Sequence, residues 1–552
     1  MNPVLLDQVR AWIASDPDEH DRATLLELID RGNEAELARR FVAPLTFGTA
    51  GLRGPEMAGP AGMNRQTVRR ATQGVVGWLE EIGVDVGRGV VVGRDARHGS
   101  EVFNDEVVAV LLGAGVRVFE MPGPLPTPLV AFAVKALAGA AGIMITASHN
   151  PPADNGYKLY ASDGAQIIPP DDEIVERHAR LASAPTLETR SSPRHEYVAD
   201  ATLDAYRHHF ARRFSVDPTA PLSITYTPLH GVGGQTMMDL FAQSGHHAVT
   251  SVVEQFEPDP TFPTLPFPNP EEPGALDLAI ATADRVGSSI VIANDPDADR
   301  LGAAVHGPEG WQILRGDEIG WLLASALLPE MGDPGDVVAT TIVSSTMLRD
   351  LAAEAQVRFA STLTGFKWIS RAAGEGVLRF GYEEALGFAV DPVVADKDGI
   401  SAALALTKLA VDLARSGETL LDRLDEIEGR LGVHAIAQLS RRAEGEQGRQ
   451  RIVDAVSTLR TSPPTRLGGV EVIEVIDLAQ GYEGLAPTDG LFLSLGATGR
   501  VVVRPSGTEP KLKAYVEVVR APAGLAALTI ERASARTTMD AILADLDRAL
   551  EL

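Results

Sequence analysis

Short apolar runs recur along the chain, each followed by a polar loop and then by residues spaced for a helix. Gly89-Val-Val-Val-Gly93 leads into a polar loop and a helix over 101–113, and Gly142-Ile-Met-Ile-Thr146 closes that first set. Leu222-Ser-Ile-Thr-Tyr226 opens a second, continued by a Gly-rich loop, a helix, a strand near Val249 and the run Ser289-Ile-Val-Ile-Ala293. Asp336-Val-Val-Ala-Thr340 opens a third, which ends on Val377-Leu-Arg-Phe380. Apolar strands alternating with helical stretches predict α/β layers. In such sheets ligands bind where strands end, so the loops after these runs are the places to look for chemistry. The three sets share an order of elements at intervals on the order of 120 residues, although few residues are identical.

From about residue 431 the pattern changes. Val470-Glu-Val-Ile473, Leu491-Phe-Leu-Ser494, Arg500-Val-Val-Val503 and Ala514-Tyr-Val-Glu-Val518 read as short strands, and Leu525 to Leu552 has helical spacing. This is a separate α+β domain. The first 46 residues read as helical: Leu25, Leu28 and Ile29 share one face, with Asp21 as a candidate cap. They are expected to pack on the first domain. The Pro-rich stretch 257–273 reads as a long functional loop.

Size and charge narrow the classes. A chain of 552 residues, 45% apolar, suggests roughly three to four domains. There is no cysteine, so neither disulfides nor a thiol nucleophile, which fits a cytoplasmic protein. The N-terminus shows no signal-peptide pattern, and no uncharged apolar run reaches the ~18 residues of a membrane span. A formal charge of −26 disfavours nucleic acid and anionic membranes as partners. It also repels phosphorylated substrates at long range, so a site for them needs local positive charge.

Four loops carry candidate chemistry. Thr146-Ala-Ser-His-Asn-Pro-Pro152, running on to Asn155-Gly-Tyr-Lys158, places Ser148 at a strand tip beside His149, with Lys158 ten residues on. A rigid hydroxyl near a base can carry a covalent group; Ser-His-Asn alone also suits a plain surface turn. Asn294-Asp-Pro-Asp-Ala-Asp-Arg300 sets Asp295, Asp297 and Asp299 at alternate positions. Converging carboxylates repel unless a cation lies between them, and hard oxygen ligands suit Mg²⁺. A calcium EF-hand loop is excluded, because Arg300 and His306 stand where glycine and glutamate are required; a solvated acidic turn is the other reading. Arg504-Pro-Ser-Gly-Thr-Glu-Pro-Lys511 offers Arg504, the hydroxyls of Ser506 and Thr508, and the Gly507 backbone N–H as an oxyanion cradle. An ordinary hairpin turn is equally compatible. Gly381-Tyr-Glu-Glu-Ala-Leu-Gly387 pairs two glutamates that can accept hydrogen bonds from sugar hydroxyls or simply face solvent.

These loops, in this order, resemble the α-D-phosphohexomutase family of phosphoglucomutases, phosphomannomutases and related phosphopentomutases. The resemblance spans nearly the whole chain. It includes Phe47-Gly-Thr-Ala-Gly-Leu-Arg-Gly54, Gly93-Arg-Asp-Ala-Arg97, Thr227-Pro-Leu-His-Gly231 and Thr364-Gly-Phe-Lys367. It implies three similar α/β domains with mixed sheets (1–206, 207–315 and 316–430) and a smaller C-terminal α+β domain (431–552) around a central cleft. It implies a phosphosugar mutase that moves a phosphoryl group between C1 and C6 of a hexose phosphate, through a phosphoserine and a sugar bisphosphate that is both intermediate and activator. Ser148 would carry the phosphoryl group, and Lys158 would be the general acid/base. His149 would orient the serine phosphate or the attacking hydroxyl. Mg²⁺ would be held by Asp295, Asp297, Asp299 and a phosphoserine oxygen. Arg53 and Arg300 would contact phosphate, or pair with the aspartates. Arg504, Ser506, Gly507 and Thr508 would grip the non-reacting phosphate, with Glu383 and Lys367 also binding substrate. His230 is expected to be structural. The chain departs from hexose-using relatives at Ala385, where a serine is usual. Its Glu-Glu-Ala loop and Asp396-Lys-Asp-Gly399 resemble the branch containing phosphopentomutases, so transfer between C1 and C5 of a pentose phosphate is the alternative. A metal-dependent sugar-phosphate phosphatase is a rival of another class, and a catalytically silent sugar-phosphate binder a third.

Overall fold

The structure is a computed structural model that describes residues 2–48, 51–220, 222–443, 445–505 and 511–550. The chain forms two compact units: Met1–Leu314 with Leu386–Val411, and Arg315–Ala385 with Asp412–Leu552.

In the first unit, one sheet runs in the order Leu52–Pro55, Asp154–Ala161, Ala141–Ile145, Val90–Arg94, Val118–Pro124, His195–Tyr197. Its four strands from Ala141–Ile145 to His195–Tyr197 are parallel; the other two are antiparallel. Val90, Val92, Ile143 and Ile145 face the helices Arg65–Glu81 and Ser100–Gly113, where Val75, Trp78, Val107 and Leu111 complete the core. The opposite face takes the helix Thr127–Ala136 at close range. A Cβ on Gly93 would meet Val130 Cγ2 at 2.6 Å, and one on Gly142 would meet Val134 Cγ2 at 2.5 Å. The missing side chains let that helix sit deep and present Thr127 at its start.

A second sheet in the same unit has the order Gly310–Ile313, Gly302–Gly307, Ile290–Ala293, Ile224–Thr227, Val249–Ser251. Again the last three are parallel and the first two antiparallel. In the second unit Arg358–Thr362, Asp336–Thr341 and Val377–Glu383 lie side by side and parallel. In all three sheets the first strand of the set is central, with the second on one side and the third on the other. The repetition read from element order is therefore a repetition of topology.

The second unit also holds an antiparallel sheet: Val433–Arg442, Lys511–Arg520, Gly499–Pro505, Leu491–Ser494, Glu474–Asp477. The helices Gly445–Thr461 and Leu528–Ala549 pack on it, through Val456 and Leu459 of the first and Ala535, Met539, Ile542 and Leu546 of the second. Two details differ from the sequence reading. Only Val470–Glu471 of the expected strand 470–473 is extended, in a two-stranded ribbon with Arg466–Leu467, and the sheet strand begins at Glu474. The strand Val433–Arg442 and the helix after it were not anticipated.

The N-terminal segment is three helices: Pro3–Ser15, Glu19–Asp30 and Glu34–Arg40. Val9, Trp12, Leu25 and Leu37 form their core with Ala58. The cap of the second helix is Asp18, whose carboxylate accepts from the backbone N–H groups of His20 and Asp21. Asp21 itself lies inside the first turn rather than at the cap, where burial and then Asp16 and Asp18 push its pKa up to about 6. Among the described residues no helix is long and apolar enough to cross a membrane.

Candidate active site

The strand Ala141–Ile145 ends in the serine loop. Ser148 takes a left-handed backbone, φ 53°, which costs a β-unbranched residue roughly 1 kcal/mol. The loop is held against that cost. Thr146 Oγ1 accepts from the Ser148 N–H at 2.9 Å. Arg97, itself paired with Asp95, donates to the carbonyls of Ser148 and Asn150 at 2.6 Å and of Pro151 at 2.8 Å. One buried guanidinium thus gathers the carbonyls of the loop. The sequence contained Arg97 within a family motif but offered no sign of this role.

The loop after Ile290–Ala293 carries the aspartates. Asp295, Asp297 and Asp299 are fully buried, and each offers a ligand atom within 4.8 Å of the others. Ser148 Oγ donates to Asp295 Oδ2 at 2.7 Å and lies 3.3 Å from His149 Nδ1. The two loops, 147 residues apart, therefore form one site. The Arg300 N–H donates to Asp295 Oδ1 at 3.0 Å. Thr127, at the start of its deep-set helix, donates through Oγ1 to Asp297 Oδ2 at 2.5 Å. Behind the loop, a Cβ on Gly231 would meet Pro296 Cα at 2.4 Å, and the Val232 N–H donates to the Pro296 carbonyl. His230 meets Thr264 through Nε2 at 2.9 Å.

Two lysines neutralise the aspartates. Lys158 Nζ lies 2.6 Å from both Asp297 Oδ2 and Asp299 Oδ2, all three side chains being buried. Lys397 Nζ is 2.9 Å from Asp299 Oδ2, a role that its sequence context does not reveal. Its neighbours are anchored: Asp396 accepts from Tyr160 Oη and Gln166 Nε2, and Asp398 from Tyr206 Oη. Burial is the largest influence on all three aspartates and opposes their ionisation. For Asp295 burial and then the two neighbouring carboxylates push the pKa up to about 8. Burial is opposed at Asp297 by Lys158 and the Thr127 hydroxyl, and at Asp299 by Lys158, Lys397 and Arg300, and the net shift of both is downward.

Asp297 Oδ1 and Asp299 Oδ1 are buried without a hydrogen-bond partner. Orphaned carboxylate oxygens are costly. Beside Asp295 they make a hard-oxygen donor set that suits a divalent cation such as Mg²⁺.

A buried serine hydroxyl on a carboxylate cluster flanked by lysines can carry a transferred group. Comparison with known proteins gives the family. Four family models match in sequence. The phosphoglucomutase/phosphomannomutase alpha/beta/alpha domains I, II and III match residues 44–184, 204–309 and 315–428, and the C-terminal domain matches 472–529. The chain belongs to the phosphoglucomutase/phosphomannomutase family. A Haemophilus influenzae protein named "Probable phosphomannomutase" is 39% identical over 462 residues, 83% of this chain and 93% of that protein. The phosphopentomutase of Mus musculus is 35% identical, covering 94% of this chain and 91% of its own. Parafusin of Paramecium, a phosphoglucomutase solved in an open form, shares the fold with a TM-score of 0.70 at 18% identity, over 92% of this chain and 96% of its own. The protein is accordingly a phosphosugar mutase, an isomerase, and a phosphatase reading is not favoured.

Other residues of the mutase fall into place around this centre. Arg53 donates through Nη1 to Asn150 Oδ1 at 3.3 Å, while its buried Nε has no partner. Burial lowers its pKa, against the pull of Asp297 and Asp299. Arg300 Nε lies 4.0 Å from both Asp295 and Asp299, and its Nη1 is 3.4 Å from Glu271. The salt-bridge alternative weighed for Arg300 is thus real. Glu271 belongs to the Pro-rich loop, in which Phe262 also lies 5.0 Å under the Arg97 guanidinium. That loop supports both the serine and the aspartate loops. Burial, then Arg300 and Arg53, hold His149 well below the usual histidine range, so it is neutral and can accept a hydrogen bond.

Lys367, Glu383 and Arg504 belong to the second unit. Lys367 is buried on the single turn Phe366–Ile369, with Nζ 5.9 Å from the Trp368 ring. Glu383 ends the strand Val377–Glu383. Glu384 Oε2 accepts from Ser344 Oγ at 2.9 Å. Arg504 is at the end of Gly499–Pro505; Ser506, Gly507 and Thr508 lie outside the described residues.

Proposed function

We propose that this mutase transfers a phosphoryl group between C1 and C6 of a hexose phosphate through phospho-Ser148. The observation that carries the reading is Ser148 Oγ at 2.7 Å from a carboxylate whose loop also holds Lys158. In the first half, a free sugar hydroxyl attacks phosphorus, the P–Oγ bond breaks and a sugar bisphosphate forms. Lys158 gives a proton to the departing Ser148 Oγ. Neutral His149 accepts a hydrogen bond from the incoming hydroxyl, orients it and takes the proton it loses. The bisphosphate turns over; Ser148 Oγ then attacks its other phosphate and returns a proton to Lys158, while the P–O bond to the sugar breaks and His149 protonates the leaving sugar oxygen. Asp295, Asp297 and Asp299, with a phosphoserine oxygen, would hold Mg²⁺, which would neutralise charge on the transferring group. Arg53 and Arg300 bind the reacting phosphate, while Arg504 with Ser506, Gly507 and Thr508 binds the other. Glu383 and Lys367 contact the sugar. The setting we propose is the cytoplasm, with soluble sugar phosphates as partners.

A pentose reading, with transfer between C1 and C5, is favoured by Ala385, which offers the sugar no hydroxyl. It is also favoured by the near full-length likeness to phosphopentomutase. The test is kcat/KM for glucose, mannose and ribose 1-phosphates, with intact-mass measurement of the protein after exposure to sugar bisphosphate. Conversion of a sugar 1-phosphate with a single phosphoryl adduct on the wild type supports the mechanism. Release of inorganic phosphate alone, with no adduct, overturns it.

A further inference from the structure

One buried network in the second unit lies outside the chemistry described so far. Arg500 is on the strand Gly499–Pro505, four residues before Arg504. Its Nε donates to Glu517 Oε2 at 3.0 Å, and its Nη2 donates to the Ser344 carbonyl. Glu517, directly opposite in the neighbouring strand, is buried. Its Oε1 accepts from Ser345 Oγ at 2.8 Å, the Thr346 N–H at 2.7 Å and Thr346 Oγ1 at 3.0 Å, and pairs with His434 Nδ1 at 2.9 Å. The loop 342–346 is thus held by its backbone and hydroxyls to the C-terminal sheet. Ile342 and Val343 add an apolar joint with Phe492, Val502 and Tyr515.

The same loop reaches Glu384. Ser344 Oγ donates to Glu384 Oε2 at 2.9 Å, and the Glu384 N–H lies 3.3 Å from Ser344 Oγ. Thr341 Oγ1 is 2.9 Å from Ser344 Oγ and 3.4 Å from Glu384 Oε2. An unbroken chain of half-buried polar contacts therefore runs from the residue after Glu383 to the strand that carries Arg504 near its end. Mutual hydrogen bonding restrains the members of such a network, and Arg is suited to this post because its planar fork donates in two fixed directions.

We propose that Arg500, Glu517 and Ser344 are positioning residues that lock the Glu383–Glu384 loop to the Arg504 strand. They fix the span between the sugar-hydroxyl contact and the grip on the distant phosphate. A fixed span reads the length of the sugar, so the network sets discrimination between hexose and pentose phosphates. The inference rests on the reading of Glu383 and Arg504 as substrate contacts.

The test is Arg500→Lys, whose ammonium cannot serve both acceptors, together with Ser344→Ala, which removes the Glu384 contact but keeps the carbonyl for Arg500. Both are measured for KM and kcat with a hexose and a pentose 1-phosphate, and for thermal unfolding with and without Mg²⁺. In each variant KM should rise by about fivefold or more with kcat little changed. The hexose-to-pentose ratio of kcat/KM should move toward one, and the Mg²⁺-dependent shift in Tm should persist. A lowered Tm with unchanged KM and unchanged ratio in Ser344→Ala overturns the proposal, even if Arg500→Lys fails to fold. Glu383→Ala and Arg504→Ala separate the two layers. If both leave KM unchanged, the substrate-contact reading fails; if they raise KM while Ser344→Ala and a folded Arg500→Lys do not, only the positioning network falls.

Discussion

Ser148 holds its hydroxyl buried on a left-handed backbone, and neither property serves packing: a serine in a fold-only role has no need of a carboxylate partner 2.7 Å away. Ser148→Ala should therefore abolish sugar-phosphate isomerisation and the phosphoryl adduct while lowering stability by about 1–3 kcal/mol, the cost of leaving the buried Asp295 Oδ2 without its donor. Turnover within tenfold of wild type would show that another group carries the phosphoryl. Ala385 makes the complementary case. Restoring a hydroxyl there should raise hexose over pentose kcat/KM by up to about tenfold, the value of one sugar hydrogen bond at ~1 kcal/mol. If the ratio in Ala385→Ser is flat or falls, the position does not read the sugar. Ser148, Lys158 and the three aspartates were legible because their types and spacing are unusual at strand ends. Arg97 and Lys397 were not. A lone arginine or lysine in sequence resembles any surface charge, and only folding shows that these two are buried against carbonyls and carboxylates.

At the scale of elements, the aspartate loop is shaped from behind as much as from its own residues. Gly231 touches Pro296 so closely that one added methyl must displace the loop. Gly231→Ala should weaken Mg²⁺ binding and lower kcat together by at least about tenfold, with Tm changed less than by a core truncation. Wild-type metal affinity in that variant would mean that the loop yields freely. The element Gly316–Leu327 makes a different prediction, about pH. Asp317 accepts from the Ser345 N–H and from Tyr382 Oη, both at 2.7 Å. Burial pushes its pKa from 3.8 up to about 7. An acid whose folded pKa is raised binds more protons folded than unfolded between those two values. Its contribution to stability is thus full below about pH 4 and is lost as pH rises to about 7. Asp317→Asn should flatten the slope of unfolding free energy against pH across that window; an unaltered slope would show that Asp317 ionises normally.

At the scale of the molecule, a chain with a formal charge of −26 must draw anionic substrates to a site whose own carboxylates are also negative. Lys158, Lys397, Arg53 and Arg300 supply the local compensation, and a cation held by the three aspartates would complete it. A ligand that binds only the folded state raises stability by about 2.7 kcal/mol at a hundredfold excess over Kd. Saturating Mg²⁺ should accordingly raise Tm, chelation should lower it and abolish turnover, and Asp297→Asn should lose most of the shift. An identical Tm with metal and with chelator would show that the three aspartates have another purpose. By itself the sequence determined the α/β layering, the loops that carry chemistry and the residue types in them. Apolar periodicity reports which segments become strands, and the chemistry of a strand-end loop is written in consecutive residues. Tertiary structure alone decided which charges meet. Lys158 lies 139 residues from Asp297, and Arg500 lies 156 from Ser344. Those meetings follow from strand order and register, which no local pattern encodes, because a buried ion pair becomes favourable only after the sheets have brought its two halves out of water together.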